Sequence, residues 1–507
     1  PTIQPSNRPT VQPLRTFQTI KTMTHHIFKT GLLLLVILFA GACTKDLDTI
    51  NTNPNAPIEA TPSLLLRKVI YDYGEQMSYE GFTAGNLLGQ YFTAIDFNLF
   101  DRHSLTEPQI GGNPWPVLYS NLRDNEILLG QSRENPSFAV YEGPSLILKA
   151  YMTAALTDIF GDVPYSEALQ GKSGNVTPKY DKQEDIYLAP SGILDNLDKG
   201  IAAIQNYAGA QPLNGDILFS RNLNAWKTFA NSLKIKYLMR ISYRVDVSAQ
   251  LQAIYAAGDF MKTNAQNARY DFTNGAPNNF RLATLRAGDF NLFIMSLTSE
   301  EILKGLNDPR MAVFFRPIGN DPTKTQYEGL LNGPNASVTS ISVANYSLTG
   351  TIFRERTGDL DANFMTAWET QLFLAEAAER GLITANAQTL YETGVLLAFE
   401  YWQTSIPADY LTSGPAAYGN NGANKIEQIV TQKWLANTVN GYEGWIEYRR
   451  TGFPPLKTIA ASLNNNLIPV RMPYPTDEDA LNNINFSAAA AVTNNNSINV
   501  KVWWDAN

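Results

Sequence analysis

The chain has few thiols and imidazoles. One cysteine, Cys43, occurs in 507 residues, and two of the three histidines, His25 and His26, lie near the beginning. A lone cysteine cannot close an intrachain disulfide, so no covalent framework holds the fold. With His103 as the only other histidine, Cys/His zinc sites and centres built on several histidines are excluded. A triad on His103 would lack the Gly-x-Ser-x-Gly elbow, and the phosphate-loop and dinucleotide glycine patterns are also missing. Positive charge is not in excess either: 39 Lys and Arg face 47 Asp and Glu, for a net charge of −8. That balance argues against nucleic acid, which requires clustered cations. The longest apolar run, Leu32 to Ala40, falls short of the roughly 20 residues of a membrane span. Carboxylate chemistry is what remains open to an enzyme.

The position of the cysteine says more than its number. Lys29 precedes the apolar run, and Ala40, Gly41 and Ala42 separate it from Cys43. This is the charged, apolar and small-residue layout of a secretory signal. With cysteine at the cut it reads as a bacterial lipoprotein signal, the thiol being acylated at the mature N-terminus. Ala40, where leucine is commoner, is a departure from the usual pattern. Met23 is the natural initiator, which makes residues 23–42 the signal and residues 1–22 an upstream extension. Residues 1–42 carry Arg8, Arg15, Lys21 and Lys29 and no acid, so their removal takes the net charge from −8 to −12. Residues 43–60, beginning "CTKDLDTINTNPNAP", are polar and rich in turn formers, and suit a tether. The expected protein is anchored to a membrane rather than inserted in it.

Helical periodicity dominates from residue 61. Thr61 and Pro62 open a helix over Pro62–Glu80, and Gly81–Ile95 is expected to continue as a second. Further helices are expected over Trp115–Arg133, Ser145–Phe160, Glu184–Tyr207 despite Pro190, and Asn224–Arg244. Between about 268 and 357 short β-like runs such as "SVTSISVANYSL" (Ser337–Leu348) alternate with turn formers, interrupted by a helix at Ser299–Leu306. Helices resume at Phe364–Arg380, Ala385–Trp402 and Lys425–Asn440, and loop follows Pro454. Alanines beside bulky residues on two of these helices permit close packing of the tetratricopeptide kind, without a clean 34-residue period. The expected fold is mainly α, an array of helix pairs with an irregular region containing short β segments.

Several segments together identify a resemblance. "LTDIFGDVPYSEAL" (Leu156–Leu169), "FANSLKIKYLMRIS" (Phe229–Ser242), "FLAEAAERG" (Phe373–Gly381) and "QKWLANTVNGYEGWIEYRRTGFP" (Gln432–Pro454) resemble the SusD/RagB family of outer-membrane nutrient-binding lipoproteins. "NDPR" (Asn307–Arg310) and "IPVRMPYPTDEDALNN" (Ile468–Asn483) fit as well. Lys45 and Asp46 resemble the Bacteroidetes signal for export to the cell surface. The resemblance implies a SusD-like domain over 61–507, with tetratricopeptide-like helix pairs and an irregular ligand-binding region. It implies capture of oligomeric nutrients, glycans most often and peptides sometimes, and delivery without cleavage to a SusC-like TonB-dependent β-barrel. No cofactor follows, although some relatives bind calcium.

Candidate binding residues are sought in loops, where backbone can be shaped around a ligand. Sugar rings pack apolar faces on aromatics, while Asn, Asp and Arg satisfy hydroxyls. "AIDFNLFDRHS" offers Phe97, Phe100, Asp101, Arg102 and His103. The middle region offers Tyr270, Asn279, Phe280, Phe290, Tyr327, Asn345 and Tyr346. The helical tryptophans Trp115, Trp226, Trp368, Trp402, Trp434 and Trp445 are assigned to the core. Arg449 and Arg450 are assigned to structural ion pairs, with Glu376 and Glu379 as partners. Two competing readings stay open: a glycan hydrolase, which needs a closely placed carboxylate pair, and a helical scaffold that binds only protein.

Overall fold

The computed structural model describes residues 60–105, 111–335, 340–438 and 440–506. The upstream extension, the signal, Cys43 and nearly all of the tether lie outside the described residues.

Helix α1 (Pro62–Glu80) begins at Pro62, whose fixed φ suits a first turn. Leu65, Leu66, Val69, Ile70, Tyr73 and Met77 recur at helical spacing and form its buried face. Helices α2 (Pro114–Glu134), α3 (Glu142–Phe160), α4 (Ile193–Asn206) and α5 (Leu223–Ile241) follow, each packed on the one before. After α6 (Ser248–Ala257) and α7 (Leu297–Gly305) come α8 (Ala367–Glu379), α9 (Ala387–Tyr401), α10 (Lys425–Ala436) and α11 (Glu443–Thr451). Helix α8 packs on α9, α10 and α5, and so joins the later helices to the earlier ones. This is the expected mainly α, tetratricopeptide-like arrangement. Among the described residues three two-stranded antiparallel pairs decorate it: β1 (Phe92–Ala94) with β5 (Phe293–Met295), β2 (Val163–Pro164) with β3 (Tyr180–Asp181), and β4 (Ala268–Asp271) with β6 (Asp361–Met365).

Several local expectations need correction. Gly81–Ile95 is no regular helix: a π-turn at Gly81–Gly85 and one turn at Asn86–Leu88 lead into β1. Glycine is required here by the close passage of Gly441, since a Cβ on Gly81 would come within 2.5 Å of its backbone and one on Gly85 closer still. Glu184–Tyr207 breaks around Pro190 into Gln183–Leu188 and α4, with Ala189 extended as a residue before proline prefers. Phe364 and Met365 belong to β6, and α8 starts after Thr366, whose hydroxyl accepts from the Glu369 N–H. Helix α10 stops at Ala436, short of the expected Asn440. Within Ser337–Leu348 the described residues form a 3₁₀ turn (Val343–Asn345) and an isolated bridge at Leu348, not a strand. The expected loop after Pro454 contains helices at Thr476–Leu481 and α12 (Asn483–Val492). Only Ala489 and Ala490 of α12 are buried, so it carries no apolar stripe to reveal it.

The core holds charge as well as hydrocarbon. The Glu447 carboxylate lies 2.8 Å from Arg240, 2.6 Å from Lys433 and 2.6 Å from Arg450. Arg450 reaches Glu376 at 2.5 Å. Arg240 also pairs with Glu443 at 2.8 Å and Asp158 at 3.1 Å. Lys236 bridges Glu443 and Glu369 at 2.8 and 3.1 Å. These side chains come from α3, α5, α8, α10 and α11, and all but Glu443 are almost fully buried. Burial alone would raise the Glu447 carboxyl; Arg450, Lys433 and Arg240 outweigh it and hold the group well below the usual carboxylate range. Arg449 donates to the carbonyls of Val470 and Asp158 and lies over the Trp445 ring. The six helical tryptophans are buried, as expected. Glu376 partners Arg450 as expected, whereas Glu379 pairs with Lys425 and accepts from Tyr418.

Removing one partner from a buried ion pair leaves charge uncompensated, so Glu447→Gln is expected to lower the unfolding free energy by about 3–5 kcal/mol. Glu379→Gln, which breaks a pair open to solvent, is expected to change it by less than about 1 kcal/mol. Urea unfolding of the two variants tests this contrast.

Candidate functional site

Strand β1 delivers the chain to the 95–105 loop. Its register with β5 (Phe92↔Met295, Thr93↔Ile294, Ala94↔Phe293) places Ile95 beside Leu292 and Ile294. Leu330, Ile341, Leu348 and Tyr346 pack onto this small apolar cluster. Residues 328–330 and 347–349 flank β5 through single hydrogen bonds: Leu330 N–H donates to the Met295 carbonyl at 2.9 Å, and Met295 N–H to that of Ser347 at 2.8 Å. The platform is assembled from distant segments without forming a continuous sheet.

Asp101 organises the loop above it. Its buried carboxylate accepts from the Thr93 hydroxyl at 2.7 Å, the Ala94 N–H at 3.1 Å, the Asn332 amide at 2.7 Å and the Gly333 N–H at 2.7 Å. Burial raises its proton affinity, and these donors oppose the rise. Asn98 donates to the carbonyls of Ala94 and Pro334. Arg102 Nε donates to the Ala461 carbonyl at 2.9 Å, and the Leu463 N–H to that of Arg102 at 2.7 Å. His103 Nδ1–H donates to the Leu467 carbonyl at 3.1 Å.

What this clamp presents is Phe97. The residue is 53% exposed, with φ +48°, a left-handed conformation rare for a bulky side chain. Leu463 and Leu467, on the segment bonded to the same loop, are 50% and 52% exposed. Asn98 and Arg102 on the loop are half-buried, and Asn465 and Asn466, between the two leucines, are exposed.

The structure divides the residues nominated from sequence. Phe100, Asp101, His103, Phe280 and Phe290 are buried and cannot meet a ligand in this conformation. Phe280 and Phe290 flank Phe82 in an aromatic core, each with ring centroids 6.2 Å from it. Phe97 is exposed and Arg102 half-buried in the loop; Tyr346 is half-buried and Asn345 exposed by the β1–β5 pair, and Tyr327 is half-buried. Tyr270 and Asn279 are half-buried elsewhere: Tyr270 lies against α1, with its ring on that of Tyr71. Leu463 and Leu467 escaped the sequence reading, because an isolated leucine among asparagines carries no binding signal. Among the described residues no group of three or more His, Cys, Asp or Glu could hold a metal ion, and no helix is long and apolar enough to cross a membrane.

His103 provides a pH test. Burial pushes its imidazole down to about 4, against the opposing bond to Leu467. The unfolded chain therefore binds a proton near pH 6.5 that the folded chain refuses until about 4. Stability from this group is full above pH 6.5 and falls as the pH drops through that window, by about 3 kcal/mol in all. His103→Gln is expected to flatten that part of the unfolding free-energy profile relative to the parent. Asp101→Ala, which strands several buried donors, is expected to lower the unfolding free energy by more than about 2 kcal/mol, read by urea titration.

Comparison with known proteins agrees with the architecture. The model of the SusD-like_2 family, described as starch-binding and associating with outer membrane, matches residues 54–475. A solved chitin-binding protein is 26% identical, with a TM-score of 0.73, over 88% of this chain and 100% of its own. A SusD homologue from Bacteroides fragilis is 25% identical, with a TM-score of 0.76, over 88% of this chain and 99% of its own. A chitin-binding SusD homologue from Flavobacterium johnsoniae shares the fold at 23% identity, with a TM-score of 0.71, over 88% and 98% of the two chains. No curated protein matches. A family match over most of the length, on the helical array and buried signature residues described above, shows that the chain belongs to the SusD-like family of outer-membrane-associated, starch-binding proteins.

Proposed function

We propose that this protein captures oligosaccharides at the outer membrane on the Phe97 surface and passes them uncleaved to a SusC-like TonB-dependent β-barrel. In this reading Cys43 carries the lipid that holds the protein at the cell surface. The observation that carries the reading is Phe97 itself: a bulky aromatic left half-exposed in left-handed backbone, its N–H donating to the Asp96 carboxylate, in a loop anchored on buried Asp101. Such a conformation costs about 1–3 kcal/mol and persists where the surroundings over-determine it, commonly at ligand clamps. The exposed ring suits the apolar face of a sugar, and the half-buried Arg102 of the same loop, whose Nε alone is given to the Ala461 carbonyl, is the candidate for hydroxyls. The family description and the chitin-binding relative support a glycan over a peptide.

Hydrolysis, the second reading, has one observation behind it. Asp271 and Asp361 stand opposite each other in the β4–β6 register, and burial pushes Asp361 up to about 6. Both contact Arg269, Asp361 at 2.8 Å and Asp271 at 3.2 Å. The shared guanidinium fits a structural ion triad better than an acid and base poised across a bond.

Immobilised mature chain challenged with mixed oligosaccharides and peptides is expected to retain intact glycan, identified by mass spectrometry. Phe97→Ala is expected to weaken that retention at least tenfold without changing the thermal midpoint. Shortened products that disappear with Asp361→Asn would establish the hydrolase, and retention of peptides alone would replace glycan as cargo.

A further inference from the structure

Helix α1 shows a second side to solvent. Leu64, Arg67 and Lys68 are exposed and Tyr71 and Gln76 half-buried, while the face described above is buried. Between α1 and residues 270–278 this side lines a groove of about 700 Å³. Its wall is an aromatic pair, with the Tyr71 and Tyr270 rings 5.4 Å apart and edge-to-face at 84°. The Tyr71 hydroxyl donates to the Pro277 carbonyl at 3.2 Å, which fixes the ring, and exposed Asn278 completes the rim. Farther along α1 a separate hollow of about 300 Å³ lies by Tyr79, over whose ring Arg281 sits at 4.5 Å.

The charge of the groove is specific. Lys68 pairs with Asp72 at 2.6 Å and Asp124 at 2.7 Å, and Arg123 shares Asp124 at 2.9 Å, so these two cations and two carboxylates balance. Arg67 is exposed and makes no ion pair among the described residues. A free guanidinium beside paired tyrosines stands out on a chain of net charge −8.

We propose that this groove binds an oligosaccharide bearing carboxylates, a uronic-acid type of chain. Sugar rings pack their apolar faces along Tyr71 and Tyr270, Asn278 meets hydroxyls, and Arg67 takes a carboxylate through its planar fork of donors. The site is separate from the Phe97 surface and does not depend on it. The two are mounted on one core: ring contacts run from Tyr71 to Tyr270, Phe272, Phe280, Phe82 and Phe92, the first residue of β1. An acidic peptide is the competing anionic oligomer. The ring wall favours sugar, because a peptide would engage Arg67 without using both tyrosines.

The test is titration calorimetry of the mature chain with oligogalacturonate, oligomannuronate, chito-oligosaccharide and oligoglutamate. One or both uronates are expected to bind, more weakly as salt rises. Arg67→Gln and Tyr71→Ala are each expected to weaken that binding at least tenfold, while Arg67→Gln leaves chito-oligosaccharide binding unchanged. Arg67 is exposed, so its variant keeps the parent's thermal midpoint and isolates the charge. The proposal is overturned if neither uronate binds, if Arg67→Gln leaves uronate binding intact, or if oligoglutamate binds more tightly. Chito-oligosaccharide binding that persists when uronate binding fails overturns this proposal and leaves the Phe97 reading standing.

Discussion

The structure depends on a buried lattice of opposite charges at the meeting point of its helices. Glu447 is its centre, touched by Arg240, Lys433 and Arg450. Because these cations belong to α5, α10 and α11, and Arg450 continues to Glu376 on α8, one connected set of contacts fixes the relative position of four helices. Taking so much charge out of water is expensive, and only near-complete pairing makes it tolerable. Such pairing demands one geometry, whereas an apolar interface accepts several. The lattice therefore explains how a helical array without disulfides, and without a regular repeat, settles on one arrangement.

It also gives physical content to the family signature. The segments that carry the resemblance supply all of the lattice but Glu369: Asp158, Lys236 with Arg240, Glu376, and Lys433 through Arg450. The Asn307–Arg310 segment adds a smaller buried knot, in which Asp308 accepts from Arg310 at 2.6 Å and from the Tyr410 hydroxyl at 2.6 Å. Arg471 closes another by donating to the carbonyls of Phe160 and Ser497. The motifs are rules of assembly, and they lie apart from the surfaces proposed for binding. Fold and ligand choice are thereby decoupled: loops such as 95–105 can change cargo while the charged core stays fixed.

The proposed binding surfaces are built on the same principle at smaller scale. Asp101 gathers donors from β1 and from residues 332 and 333 to hold one phenylalanine outward, much as Glu447 gathers cations to hold helices together. The aromatic core between β1 and α1 then supports both the Phe97 surface and the tyrosine groove. Hydrogen bonds to Asp101 and from Tyr71 tie both surfaces to the body of the protein, which lessens the ordering left to do on binding.

Helix existence, helix class and the burial of the tryptophans and Arg450 could be read from the sequence, because periodicity and residue type act locally. The helical face of α1 and the stop at Gly161 (φ +84°) are written in neighbouring residues. Decisions made by distant partners were not legible. Gly441 passes so close that Gly81 and Gly85 admit no side chain, β4 recruits Phe364 and Met365 out of a helical pattern, and the surroundings bury Phe100, Phe280 and Phe290 while leaving Phe97 outside. A loop aromatic looks the same in sequence whether it anchors a core or faces water. Only the tertiary structure, by placing Asp101, Asn332 and Tyr71 beside residues far away in the chain, decides which rings are free.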